Sequence, residues 1–193
     1  MARALAASGI GMLAMGLLIG FGAPACRAAD GIDDVRSEAR FVLRGAFGRH
    51  LEGRFGQMQA ALQPQADGRW RATVWLPTAD AELPGHPRYT RIMRGDMFFD
   101  SARHPGIRFV SDPFDAGLLA QGGVLAGTLN MRGVSRRAQL QLAPSPCRLP
   151  RFDGCTVHAH GRVQRSDFGM DRLRGLVGDE VEFQLRIVAD GAA

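Results

Sequence analysis

Apolar residues recur at every second position through most of this chain between residues 38 and 188, and that period commits it to sheet. Successive side chains of a strand point to opposite faces, so a two-residue apolar repeat marks a strand with one buried face. In EARFVLRG, Ala39, Phe41 and Leu43 alternate with Arg40, Val42 and Arg44. Met58, Ala60 and Leu62 alternate with glutamines, and Trp70, Ala72, Val74 and Leu76 follow the same rule. A shorter segment carries Ile107 and Phe109. Four later segments carry the inward sets Leu125, Gly127, Leu129, Met131; Ala138, Leu140, Leu142; Val157, Ala159, Val163; and Val181, Phe183, Leu185, Ile187. The pattern predicts eight strands. Short turns at residues 66–68 and 132–136 make neighbours antiparallel. One helical insertion is predicted over residues 87–95, where Tyr89, Ile92 and Met93 fall at helical spacing. Eight such strands close into a barrel, because closure removes exposed edges, and a sandwich is the alternative. Small residues among the inward sets (Ala39, Ala60, Ala72, Gly127, Ala138, Ala159) either leave room for a ligand or make room for a bulky neighbour such as Trp70 or Phe183.

The 193 residues do not all belong to this domain. Residues 1–29 start with Arg3, run apolar and end in small residues, the three-part pattern of a secretory signal, with a membrane anchor as the alternative. Residues 30–193 then form one domain. Cys26 follows Ala23-Pro24-Ala25 rather than a leucine-containing lipidation box and is read as discarded. Cys147 and Cys155 bracket CRLPRFDGC, and in an exported chain such a pair reads as a disulfide, with free thiols or a metal pair as alternatives. The formal charge of +5 falls to +3 once Arg3 and Arg27 leave, which gives a nucleic-acid partner no support.

Groups that could carry chemistry are sparse. All 24 basic residues are arginine, so lysine nucleophiles, bases and phosphate-loop lysines are excluded. Asp167-Phe168-Gly169 matches the kinase magnesium tripeptide but lacks the glycine-rich loop, strand lysine and catalytic loop that give it meaning. In RSDFGM it reads as a turn before the last strand, where Ser166 or Asp167 satisfies backbone donors, Gly169 takes a conformation other residues resist, and Phe168 and Met170 cover one end of the interior. His158 and His160 share one strand face, an arrangement that serves as a metal pair or as an ordinary outward polar pair. No catalytic residue, metal site or cofactor is predicted. Arg88, Arg91 and Arg94 lie three apart on the helical insertion, as a cationic lip for an anionic head group or as a solvated helix face.

Three segments carry a family resemblance: MRGDMFFDSARHPGIRF (93–109), LAGTLNMRGVSRRAQLQL (125–142), and QRSDFGM followed by GDEVEFQLRI. Together, and in this order, they resemble the YceI-like family of periplasmic lipid-binding proteins, over roughly residues 31–189. Arg132 stands where many relatives carry histidine, and the CRLPRFDGC loop is not general to the family. The resemblance implies a lipocalin-like eight-stranded antiparallel barrel holding an isoprenoid lipid, either a polyprenyl pyrophosphate or a quinone tail. The expected cavity residues are Phe41, Leu43, Met58, Leu62, Trp70, Val74, Phe109, Leu129, Met131, Leu140, Phe168, Met170, Phe183 and Leu185, with Arg91, Arg94 and Arg132 as head-group candidates. The implied role is non-enzymatic carriage or storage in the periplasm. The alternative is a filled barrel acting as an interaction module for an inner-membrane respiratory partner.

Overall fold

The computed structural model describes residues 36–45, 48–150, 152 and 154–189; the segment read as a secretory signal and Cys26 lie outside them. Nine strands follow in chain order: β1 (Glu38–Gly45), β2 (His50–Phe55), β3 (Gln59–Pro64), β4 (Trp70–Pro77), β5 (Gly106–Ser111), β6 (Gly123–Met131), β7 (Val134–Leu142), β8 (Thr156–Gln164) and β9 (Val177–Val188). Each ladder is antiparallel, in one sheet of order β2-β1-β9-β8-β7-β6-β5-β4-β3. The all-β antiparallel expectation holds, with nine strands where the alternation showed eight.

The added strand is β2. Its inward residues are Leu51, Gly53 and Phe55, cross-strand partners of Leu43, Phe41 and Ala39. Gly53 hides the pattern because Phe41 occupies its space: a Cβ built on Gly53 would lie 2.0 Å from Phe41 Cζ. The same explanation applies to the small inward residue Gly127, whose Cβ would lie 2.6 Å from Phe109 Cζ.

The sheet's two margins, β2 and β3, are consecutive in sequence and separated only by Gly56, Gln57 and Met58. Four residue steps span at most about 15 Å, whereas a flat nine-stranded sheet would set its margins roughly 38 Å apart. The sheet must therefore curl until its edges approach. No ladder joins β2 to β3, so the result is a curled sheet with a seam rather than a fully hydrogen-bonded cylinder. The segment after β4 covers the free edge of β2, with Arg54 N donating to Glu82 O at 2.9 Å and Glu82 N to Arg54 O at 2.8 Å.

Local chemistry fixes the connections. Arg132 and Gly133, with φ of 53° and 75°, form the two-residue turn between β6 and β7, the left-handed pair that matches hairpin twist. The predicted insertion is helix α1 (Pro87–Arg94), with Pro87 in its first turn and Arg91 and Arg94 in its last. A second helical turn, α2 (Leu118–Gln121), was not legible: four residues are too few to show a helical period. Ser145 Oγ donates to Leu119 O at 2.7 Å, pinning that turn to the segment after β7.

Candidate functional site

The inward faces enclose three apolar chambers in a row, each bounded by side chains from several strands. The first, with a volume of about 60 Å³, lies among Leu62, Trp70, Ala72 and Val74 of β3 and β4, Leu140 and Leu142 of β7, and Val157, Ala159, Leu185 and Ile187 of β8 and β9. Its end is covered by Phe114, by Leu119 of α2, and by Leu149, Pro150 and Phe152. Those last three belong to the loop closed by the Cys147–Cys155 disulfide, which the structure forms with a Cα–Cα distance of 5.4 Å. The second chamber, about 40 Å³, shares Val74, Phe109, Leu140 and Leu185 with the first and adds Leu76, Ile107, Leu129, Ala138 and Val163. The third, also about 40 Å³, shares Phe183 with the second and is closed by Phe41, Leu43, Met93, Phe98, Phe99, Met131, Met170 and Val181.

Two readings of the small inward residues were open, and the structure divides them. Ala60, Ala72, Ala138 and Ala159 border the chambers, whereas Gly127 yields to Phe109 and Ala39 is packed into the core. The void is also interrupted. Each chamber is smaller than the roughly 150 Å³ that holds one benzene; Val74, Phe109, Leu140 and Leu185 stand between the first and second, and Phe183 between the second and third. Of the fourteen residues expected to line a cavity, twelve do so; Met58 and Phe168 are buried in the core but border none of the three chambers. Phe41, Phe55, Phe99 and Phe183 cluster with ring centroids 5.4–6.5 Å apart, which packs the interior behind β1 and β2.

The head-group candidates do not converge on these chambers. Arg91 and Arg94 border a separate surface groove of about 450 Å³ with Glu82, Leu83 and Thr90, and Arg94 Nε donates to Ala81 O at 2.7 Å. Arg132 donates to Phe98 O at 2.7 Å and thereby holds a wall of the third chamber.

A buried cation that borders a chamber, Arg165, is one the sequence reading passed over. Arg165 continues the inward set of β8, two residues after Val163, and is 2% exposed. Its Nε donates to Gly178 O at 2.9 Å, its Nη2 to Val177 O at 3.0 Å, and its Nη1 to Met170 O. The guanidinium also sits 5.7 Å from the centroid of Phe98. Burial pushes its pKa down, with the nearby Asp179 acting in the opposite sense. Three main-chain carbonyls supply the acceptors that make a buried charge tolerable.

RSDFGM accordingly forms a 3-10 turn, Arg165–Phe168, ended by Gly169 at φ 71°. Phe168 and Met170 are buried, as expected of a covering segment. The backbone donor is satisfied differently from the expectation: Ser166 N donates to Asp179 Oδ1 at 3.0 Å and Ser166 Oγ to Asp179 Oδ2 at 2.6 Å. That hydroxyl holds the Asp179 carboxyl below its ordinary range. His158 and His160 point outward and are exposed, and no metal-holding group of three or more ligands occurs among the described residues.

A curled antiparallel sheet around an apolar interior defines a lipocalin-like β-barrel domain. No helix among the described residues is long and apolar enough to cross a membrane. The YceI-like domain model matches residues 31–189, and the chain belongs to that family. Three solved structures are similar in fold. BcnA of Burkholderia cenocepacia has a TM-score of 0.67 at 19% identity, covering 82% of this chain and 99% of its own. A polyisoprenoid binding domain from Saccharophagus degradans, implicated in plant cell wall breakdown, has a TM-score of 0.64 at 14% identity, covering 86% and 99%. The Campylobacter jejuni YCEI protein has a TM-score of 0.56 at 15% identity, covering 74% and 86%. No curated protein sequence matches the chain.

Proposed function

We propose that this protein is a non-catalytic periplasmic carrier or store for an isoprenoid lipid, held with its chain along the row of chambers. The observation that carries the reading is the linear order of three apolar chambers that share lining residues, Val74, Phe109, Leu140 and Leu185 between the first two and Phe183 between the second and third. Rotation of Phe183 and of the shared Leu140 and Leu185 would join them into a channel suited to a long, thin hydrocarbon. The similarity to a polyisoprenoid binding domain supports the ligand class. A secretory reading of residues 1–29 and the disulfide support export.

Energetics put the affinity in the tail. Each buried methylene contributes about 0.8 kcal/mol, so a chain of twenty carbons supplies on the order of 15 kcal/mol gross before ordering costs. An exposed arginine–phosphate pair contributes roughly 0–1 kcal/mol. The chain is thus the recognised element, and polyprenyl pyrophosphates and prenylquinones are both admissible ligands.

The test is mass spectrometry of lipids extracted from protein purified from its native host, paired with titration of the purified chain with geranylgeraniol. Trp70 borders the first chamber and reports occupancy by its fluorescence, with Trp75→Phe removing the second indole. A lipid-free preparation whose Trp70 emission ignores added geranylgeraniol would overturn the reading. Leu129→Arg, which places a guanidinium in the second chamber, should abolish uptake while circular dichroism still reports the barrel.

A further inference from the structure

The strands β7 and β8 are each paired along all nine residues with their other neighbours, β6 and β9. Their ladder with one another contains only Gln141↔His160 and Leu142↔Ala159. Beyond those two pairs they run on without a ladder, so the wall of the barrel has a seam over Val134–Leu140 and Gly161–Gln164.

The second chamber lies directly behind this seam, which is shut in the structure: Gly161 is buried, and a Cβ built on it would lie 2.8 Å from Gln139 O of the facing strand. Gln139 and Arg162 are outward residues by register and both are exposed, yet both border the chamber together with Ala138, Leu140, Gly161 and Val163.

A reason for the short ladder is legible in β7. Arg136 faces Leu129 across the β6–β7 ladder, so it belongs to the inward face with Ala138 and Leu140. A guanidinium driven into the apolar interior without acceptors would be prohibitively costly. Arg136 is instead exposed and forms no ion pair among the described residues, with Nη1 donating to the adjacent Ser135 O. Ala138 and Leu140 beside it are half-buried although they point inward.

The ends of the row are covered by whole segments rather than by a seam between two strands. The disulfide loop and α2 cover one, and Met93, Phe98, Phe99 and Met170 cover the other. We infer that the β7–β8 seam is the port through which the hydrocarbon chain enters and leaves the barrel sideways, with Arg136 at its lip to meet an anionic or polar head. The inference rests on the lipid-carrier reading above. Separating β7 from β8 over this stretch breaks no ladder pairing, so opening is local and leaves both strands paired on their far sides.

The experiment is a cross-link. In a Gln139→Cys/Arg162→Cys protein, with the native disulfide intact, a short bis-maleimide ties the outer rims of the seam together. Stopped-flow Trp70 fluorescence then follows geranylgeraniol uptake before and after cross-linking, with singly substituted, maleimide-capped proteins as controls. Uptake by the empty cross-linked protein should slow by at least about tenfold, and release from protein cross-linked after loading should slow similarly, because a port alters rates in both directions. Gly161→Val, whose Cβ would lie 2.8 Å from Gln139 O and Leu140 Cδ2, should slow uptake in the same sense without any cross-link. Cross-linked protein that loads at the uncross-linked rate would overturn the port and leave the carrier reading standing. Failure of the uncross-linked protein to take up lipid at all would overturn the carrier reading, and the port with it.

Discussion

Gly53→Ala adds one methyl group at the place where β2 crosses β1, and the geometry fixes its consequence. The new Cβ would lie 2.0, 2.5 and 2.6 Å from Phe41 Cζ, Cε1 and Cε2. Ordinary contact needs about 3.5–4.0 Å, so the ring must retreat by at least about 1.5 Å. Its room is limited, for it is 2% exposed and packed against Phe55, Phe99 and Phe183 at centroid distances of 5.4, 6.3 and 6.4 Å, with only the third chamber of about 40 Å³ beside it. Overpacking of this kind costs about 1–3 kcal/mol and here should fall at the upper end. Against a total stability of about 5–15 kcal/mol, that loss is readily measured by urea unfolding. Phe41→Leu relieves the clash while opening a void of its own, so the double variant should be more stable than the sum of the single losses predicts by at least about 1 kcal/mol. A coupling below about 0.5 kcal/mol would mean that the Phe41 ring does not lie over Gly53 and that the account of β2 is wrong.

Two further predictions concern the turn that closes the barrel. Arg165→Met leaves the carbonyls of Met170, Val177 and Gly178 without their donor, and should lower stability by at least about 3 kcal/mol in urea unfolding. Arg165→Lys keeps the charge but not the three-way geometry and should recover only part of it. Acid should loosen the same turn. The Ser166 hydroxyl holds the Asp179 pKa below its unfolded value near about 3.9, so the contribution is fully present above that value and is lost as pH falls through the lower folded value. Asp112 beside Arg137, and Glu182 beside Gln184 and Arg162, are lowered in the same direction. Thermal melting followed between pH 5 and pH 2, roughly the span over which such carboxylates protonate, should show a steeper decline for the parent protein than for Asp179→Asn, and parallel curves would refute the assignment.

Much of this architecture could be read from the sequence because burial on one face imposes a period of two, and a period survives when individual residues are ambiguous. The places where the reading stopped have identifiable causes. Strand β2 escaped because one of its three inward positions, Gly53, is filled by the side chain of another strand, and a residue borrowed from β1 leaves no trace in β2. Helix α2 is shorter than two helical turns. The division of the interior into three chambers depends on how Phe183, Leu140 and Leu185 are turned, which a pattern of apolar positions does not encode. The head-group candidates were chosen for charge on a helix face, and charge alone did not bring Arg91 and Arg94 to the chambers.

Two arginines sharpen what alternation can and cannot say. Arg165 and Arg136 both interrupt apolar inward sets, the first after Val157, Ala159 and Val163 on β8, the second before Ala138, Leu140 and Leu142 on β7. The period gives both the same direction, yet one is 2% exposed and the other stands in solvent. What separates them is the supply of acceptors. The chain after Gly169 returns past Arg165 and presents the carbonyls of Met170, Val177 and Gly178, so that guanidinium can be enclosed. Arg136 is offered no such set: its acceptor among the described residues is the neighbouring Ser135 O. A buried donor without an acceptor is the costlier outcome, so the sheet yields instead and the β7–β8 ladder ends after two pairs. In this fold an arginine on an inward face therefore marks either a closing turn or a break in the ladder, and the carbonyls available to it determine which.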